Sequence, residues 1–242
     1  EIFGIFGIFG PEILAGAKIV SFDKTLLGAF INYKSLTAAG GGEKARITDE
    51  RFGIYANADL ELINLQLNFS YGLGHVLAQN TDSRAEFDLT TFEFGVQALL
   101  NRDLLFENLK PFLALSGANV KNEKIDNYNI SQKGSEIAAN NYLKLELMTG
   151  LSFNKTFDHF NVSAKPYFAF TLMGANAEYE VNVLYERRKK VSAIKDDLWS
   201  FGLDLRGETK IYKNLGIFIG TDIKRNLAKF AYQINGGINF EF

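Results

Sequence analysis

Along most of this chain, apolar and polar residues alternate one for one. The last thirteen residues carry the pattern most plainly: Phe230, Tyr232, Ile234, Gly236, Ile238, Phe240 and Phe242 fall on one side, and Ala231, Gln233, Asn235, Gly237, Asn239 and Glu241 on the other. Period two predicts a strand, because successive side chains leave a strand on opposite faces. The run is longer than an ordinary globular strand and greasy on one face only, which suits a wall between lipid and a polar lumen.

The alternation recurs upstream. It sets Phe52, Ile54 and Ala56 against Gly53, Tyr55 and Asn57, then Ile63, Leu65, Leu67, Phe69 and Tyr71 against Asn64, Gln66, Asn68, Ser70 and Gly72. Further strands read from Phe92, Phe94, Val96 and Ala98, from Leu143, Leu145, Leu147 and Leu151, and from Trp199, Phe201, Leu203 and Leu205. Two stretches repeat each other, LKPFLAL at 109–115 and AKPYFAF at 164–170. Their prolines belong near strand ends, which predicts two strands starting at one rim.

Turn signals punctuate the strands. Short turns fall near Asp23, Asp59, Arg102, residues 154–158 and Lys213, and longer connections near Gly41, Asp82, Asn127 and Arg187. Residues 38–50, rich in glycine and charge, predict a mobile loop, 121–140 a long polar loop, and 174–197 an extended loop or a hairpin. The opening EIFGIFGIFG repeats Ile-Phe-Gly, with three glycines that oppose a helix and a Gly10-Pro11 break after it. Read as a strand of its own, it makes the total twelve. An even total places both ends of the chain on the short-turn rim and closes the last strand against the first.

Composition narrows the choice. The chain has 242 residues with 22 Phe and 10 Tyr, yet no run approaches the ~20 apolar residues of a membrane-spanning helix. A formal net charge of -2 argues against nucleic acid as a partner, and the absence of cysteine excludes disulfides and thiolate metal sites. No motif points to a metal or a cofactor. Glu1 opens an apolar stretch with no basic segment before it, so any export leader is expected to have been removed or to lie upstream. In a soluble sandwich or lipocalin-like barrel the apolar face is the inner one and the other face carries charge for water. Here the polar face is rich in Gly, Asn, Ser and Gln, and the apolar face continues through too many strands for one small core. Aromatic residues near strand ends (Tyr33, Tyr71, Phe153, Trp199, Tyr232, Phe242) match interfacial girdles.

The expectation is therefore an all-β protein: a 12-stranded antiparallel up-and-down transmembrane β-barrel, one domain over residues 1–242. Its narrow lumen is expected to present Glu93, Lys110, Phe112, Lys144, Glu146, Lys165, Tyr167, Asp204, Arg206, Glu208, Asp222 and Lys224. Such charges either line a conduit or pair across the lumen to avoid isolation in a confined space. The basic run at 186–190 reads as a solvated loop. Catalysis is not expected. The two histidines, His75 past a strand end on the loop side and His159 in a short turn, belong to opposite rims, and no nucleophile motif accompanies them.

Taken in order, DKTLLGAFINYKS, RFGIYANADLELINLQLNFSYG, the twin KP(F/Y) strands, YLKLELMTGLSF, NLGIFIGTDIKRN and NGGINFEF resemble the carboxy-terminal translocator domain of autotransporters, the type V secretion proteins. The resemblance covers nearly the whole chain. It implies a twelve-stranded barrel that anchors an upstream passenger in the outer membrane of a Gram-negative-type bacterium and conducts it outward. It also implies that Tyr232, Ile238, Phe240 and Phe242 form the signal read by the barrel-assembly machinery. The implied partners are outer-membrane lipid and lipopolysaccharide, that machinery and the chain's own passenger, with the barrel acting as a monomer. Two departures stand out: the passenger and most or all of the linker helix are expected to fall outside residues 1–242, and the first strand lacks the family's usual Trp/Arg/Gly pattern. The alternative function is a stand-alone, porin-like outer-membrane channel.

Overall fold

The computed structural model describes residues 7–9, 12–40, 43–79, 83–102, 107–123, 125–129, 132–137, 139–158, 160–174, 176–183, 189–195, 198–212, 215–225 and 230–240. Every regular element among them is a strand. In chain order these are β1 (Gly7–Phe9), β2 (Glu12–Phe22), β3 (Thr25–Gly40), β4 (Glu43–Asp59), β5 (Ile63–Gln79), β6 (Ser83–Leu100), β7 (Leu109–Asn122) and β8 (Ile125–Asn129). There follow β9 (Gln132–Ile137), β10 (Asn140–Thr156), β11 (Phe160–Met173), β12 (Asn176–Val183), β13 (Lys189–Lys195), β14 (Trp199–Tyr212), β15 (Leu215–Arg225) and β16 (Phe230–Phe240).

The wall is one up-and-down antiparallel sheet. It runs from β1 and β2 through β3, β4, β5, β6, β7, β10, β11, β14 and β15 to β16. One end carries the tight turns, where Asp23 at φ 42° forms half of the two-residue link between β2 and β3. A short polar side chain tolerates that left-handed backbone, and the turn suits the twist of a hairpin. The neighbouring turn docks on it, with the Asp59 N–H donating to the Lys24 carbonyl at 2.7 Å. Strands β7 and β11 both start from this end, as the twin KP motifs predict, but only Pro111 lies near a strand start, whereas Pro166 falls in the middle of β11 opposite Leu203.

At the other end the strands go further than composition suggests. The predicted loop at 38–50 is strand, with β3 and β4 paired up to Gly40 and Glu43. Likewise 121–140 contains the β8–β9 hairpin, while 174–197 contains β12 paired with β13, the hairpin of its two expected forms. These extensions knit into one rim: β8 pairs with β6, and β9 with β12. Glycine and charge misread as loop because backbone pairing needs no apolar face. It needs only a neighbouring ladder, which the long hairpins supply.

The Ile-Phe-Gly segment departs from expectation in a way that matters. Its described part, β1, does not form a strand of its own. Phe9 pairs with Thr37 and Glu12 with Lys34, so β1 and β2 lie in line along β3 in one register. Among the described residues the wall therefore falls short of twelve strands, and the chain enters β1 at the opposite rim from where β16 ends. Among the described residues no ladder joins β16 to β1 or β2, and the sheet is a curled half-barrel with two open edges.

Burial inverts the pattern of a water-soluble protein. Among the described residues Val76, Phe112, Ala114 and Ala169 are the buried apolar ones, while Ile31, Phe52, Ile54, Phe69, Tyr71, Phe92, Phe201, Ile219 and Ile234 are all exposed on the convex face. Registered pairing aligns Ile31, Phe52, Tyr71 and Phe92 into one row across β3 to β6. Leaving one such side chain in water forgoes about 1.5–3 kcal/mol of burial free energy, and a contiguous band of them marks a surface meant for apolar surroundings. Beyond this row the same face turns polar: Thr48, His75 and Asp88 align across β4, β5 and β6.

Candidate functional site

The opposite, concave face is polar, and glycine lets its side chains lie flat. Tyr55 lies over Gly28, Phe30 over Gly53 and Tyr167 over Gly202, each ring tip within 2.5 Å of where a glycine Cβ would stand. A side chain at these glycines would displace the ring. Phe112, 7% exposed, sits beside Gly150.

The charged residues gather on β10, β11, β14 and β15. Glu146 receives Lys144 at 3.2 Å on its own strand and Lys224 at 2.9 Å from β15. Two strands from Asp222, the Tyr167 hydroxyl donates to its carboxylate at 3.1 Å. Asp204 faces Lys165 on one neighbouring strand and Asp222 on the other. Arg206 lies 4.3 Å from the Phe218 ring centre and 3.4 Å from Glu208. Cations and carboxylates are interleaved, so the face carries mixed charge rather than a single-sign field.

Four of the expected residues thus meet in two hydrogen-bonded pairs, Glu146 with Lys224 and Tyr167 with Asp222, with Lys144, Lys165 and Asp204 beside them. Lys110 lies apart on β7, opposite Ser152. Glu93 belongs to a second cluster that the alternation did not reveal: Arg51 bonds Asp49 at 2.5 Å and forms an ion pair with Glu93, two strands away. Arg51 crosses β5 over Gly72, where a Cβ would stand 3.0 Å from Arg51 Cγ and 2.4 Å from Thr91 Oγ1. The signal was available: Asp49 and Arg51 share the parity of Gly53 and Tyr55, but a predicted loop hid it.

Tyr232, Ile238 and Phe240 lie in β16, registered with Ile223, Ile217 and Leu215, and Phe242 lies outside the described residues. His159 does too. His75 is not past a strand end but inside β5, its Nδ1 2.7 Å from Asp88 and its Nε2 3.3 Å from Glu86. The extension of β5 carries it there. Among the described residues no group of acidic and histidine side chains is arranged to hold a metal ion.

An up-and-down antiparallel sheet, apolar outside and charged within, defines the outer-membrane barrel class. A family profile, the autotransporter beta-domain, matches residues 12–222. The chain belongs to that family: it is a translocator domain of type V secretion, from the outer membrane of a Gram-negative-type bacterium, and membership implies an attached passenger. In fold it is similar to the translocator domain of the autotransporter NalP from Neisseria meningitidis, with TM-score 0.74, 12% identity, and 98% of this chain and 82% of that one covered. It is also similar to the transport unit of AIDA-I from Escherichia coli, with TM-score 0.68, 11% identity, and 99% and 84% covered. The Pseudomonas putida toluene transporter TodX shares the fold more loosely, with TM-score 0.59, 11% identity, and 99% and 78% covered. Among curated proteins nothing matches the sequence.

Proposed function

We propose that residues 1–242 belong to a monomeric barrel of twelve strands that spans the outer membrane and conducts its upstream passenger through the concave face. The convex band from Ile31 to Phe92, and Ile219 and Ile234 beyond it, contacts lipid and the acyl chains of lipopolysaccharide. The last strand, through Tyr232, Ile238, Phe240 and Phe242, engages the barrel-assembly machinery. Glu93, Lys110, Phe112, Lys144, Glu146, Lys165, Tyr167, Asp204, Arg206, Glu208, Asp222 and Lys224 line the conduit, with no catalytic role. The single observation that carries this reading is the inversion of faces: exposed Ile219 and Ile234 outside, and the Glu146–Lys224 network inside.

Balanced charge fits a conduit for an extended polypeptide, because interleaved signs hold no particular sequence tightly. Site-specific photo-crosslinking tests this. A crosslinking residue at Ser70 or Lys165 in the full-length protein should trap the passenger during export, and one at Ile219 should not. Equal trapping from both faces, or none from the concave face, overturns the proposal.

A further inference from the structure

Arg225 closes β15 in register with Phe201 of β14, so the two side chains leave the sheet on the same convex face. Its neighbour Lys224 turns inward to Glu146. Among the described residues of β11, β14 and β15, Arg225 is the only charged one at a convex position; the others are apolar, glycine or threonine. No carboxylate on these strands shares its face.

Its height puts it at an edge of the apolar band. Leu215 opens β15 at the rim of tight turns and Arg225 ends it, 11 residues in all. At about 3.3 Å per residue the strand is about 33 Å long, and a tilt of about 40° makes that about 25 Å of height, the apolar band of an outer-membrane barrel. Short turns in such barrels are periplasmic, so Arg225 emerges at the outer leaflet, where the headgroups begin.

The surroundings suit a lipid. Phe201 beside it is exposed, and Phe168, one strand further along the same row, stacks on Trp199 with ring centres 5.6 Å apart. On the tight-turn side of Arg225, Ile223 and Ile219 continue the same face of β15. Aromatic rings at this level match an interfacial girdle, and a guanidinium offers a planar fork of donors that fits a phosphate. A cation with no carboxylate on its own face, above an apolar platform, complements an anionic headgroup that carries acyl chains. We infer that Arg225 binds a phosphate of an outer-leaflet lipid, the lipid A moiety of lipopolysaccharide, whose acyl chains lie against Phe201, Ile223 and Ile219. The inference rests on the reading of a spanning barrel.

Full-length protein folded into phosphatidylcholine vesicles that carry a small fraction of lipid A tests this. A photo-crosslinking residue at Ile223 reports the lipid at the site, and one at Ile54 on β4 reports bulk lipid. At Ile223, lipid A should be trapped about tenfold more often than lipid A stripped of its phosphates, the factor expected of hydrogen bonds to a charged group. Arg225→Gln should lower its yield to that of the stripped form. Arg225→Lys, which keeps the charge and loses the planar fork, should retain part of the enrichment. Trapping at Ile54 should not distinguish the two lipids. Equal trapping of both at Ile223, or an unchanged yield in Arg225→Gln, means that water alone solvates the guanidinium and overturns the inference. Phosphatidylglycerol trapped there as efficiently as lipid A overturns it as well, by making any anionic lipid the occupant. In each of these cases a heat-modifiable band leaves the spanning barrel intact. Loss of that band in the unsubstituted protein removes the barrel and this site together.

Discussion

Lys224 Nζ donates to Glu146 Oε1 at 2.9 Å, although β15 and β10 are three steps apart in the sheet. Along a flat sheet those steps amount to about 14 Å, more than the two side chains reach when they stand upright. The bond is a chord across a concave surface. The Tyr167–Asp222 hydrogen bond and the Arg51–Glu93 ion pair are shorter chords of the same kind, each across two steps. Curvature therefore brings together residues that register alone would keep apart.

Glu146 holds two cations, and its loss should cost more than the loss of either one. Glu146→Gln removes the carboxylate that Lys144 and Lys224 share, whereas Lys224→Met leaves Glu146 with Lys144 at 3.2 Å. Urea unfolding of the reconstituted domain should rank Glu146→Gln as less stable than Lys224→Met. The double variant should show a coupling of about 0.5–3 kcal/mol relative to the sum of the singles. Simple additivity would mean that the chord contributes nothing.

Glycines on the concave face should respond in graded fashion. At Gly150 a Cβ would meet the Pro166 carbonyl oxygen at 2.2 Å, a backbone atom that cannot step aside. The nearest atoms at Gly202 belong to the Tyr167 ring, which can swing away at the cost of its bond to Asp222. Gly74 offers 3.4 Å to Leu89 Cβ. Melting temperatures should therefore fall most for Gly150→Ala, less for Gly202→Ala and least for Gly74→Ala. Tyr167→Phe, which removes only the hydrogen bond, should cost about 1 kcal/mol. An inverted order would contradict the packing described for these strands.

Arginine on the convex face separates lipid from water. Ile219, 65% exposed, should lose about 2–4 kcal/mol as Ile219→Arg if it faces the bilayer interior, measured by reversible unfolding in liposomes. Thr48→Arg, above the aromatic row, should stay near zero. Equal, negligible effects at both sites would place the two residues in water.

Phe242 carries the assembly proposal. Deleting it should leave the chain unfolded in the periplasm, with no heat-modifiable species in the membrane fraction. Normal accumulation of folded barrel would remove Phe242 from the signal.

Much of this architecture was legible in the alternation. Each run from Phe52 onward predicted a strand and its two faces, because the outer and inner faces of the sheet differ in chemistry from one residue to the next. The tight turns were legible through Asp23 and Asp59. What stayed hidden was non-local. Gly10-Pro11 reads as a break, yet the alignment of β1 with β2 depends only on β3 offering them one continuous edge. Charged residues at 43–50 read as loop because composition does not disclose a partner strand. Arg51 meets Glu93 only because Gly72 leaves a lane between them, and Lys224 meets Glu146 only because the sheet curls. Sequence periodicity reports which face a residue takes, not what it reaches across.

The central claim is that the convex face meets lipid and the concave face meets water. Single cysteines at Ile219 and Ile54 on one face, and at Ser70 and Asp204 on the other, probe both faces in native outer membranes. A membrane-impermeant thiol reagent should label Ser70→Cys and Asp204→Cys. A fluorophore on Ile219→Cys or Ile54→Cys should be quenched by spin-labelled lipid and spared by the aqueous reagent. Aqueous labelling at Ile219 and Ile54 without lipid quenching would contradict an outer-membrane conduit and return the sheet to water.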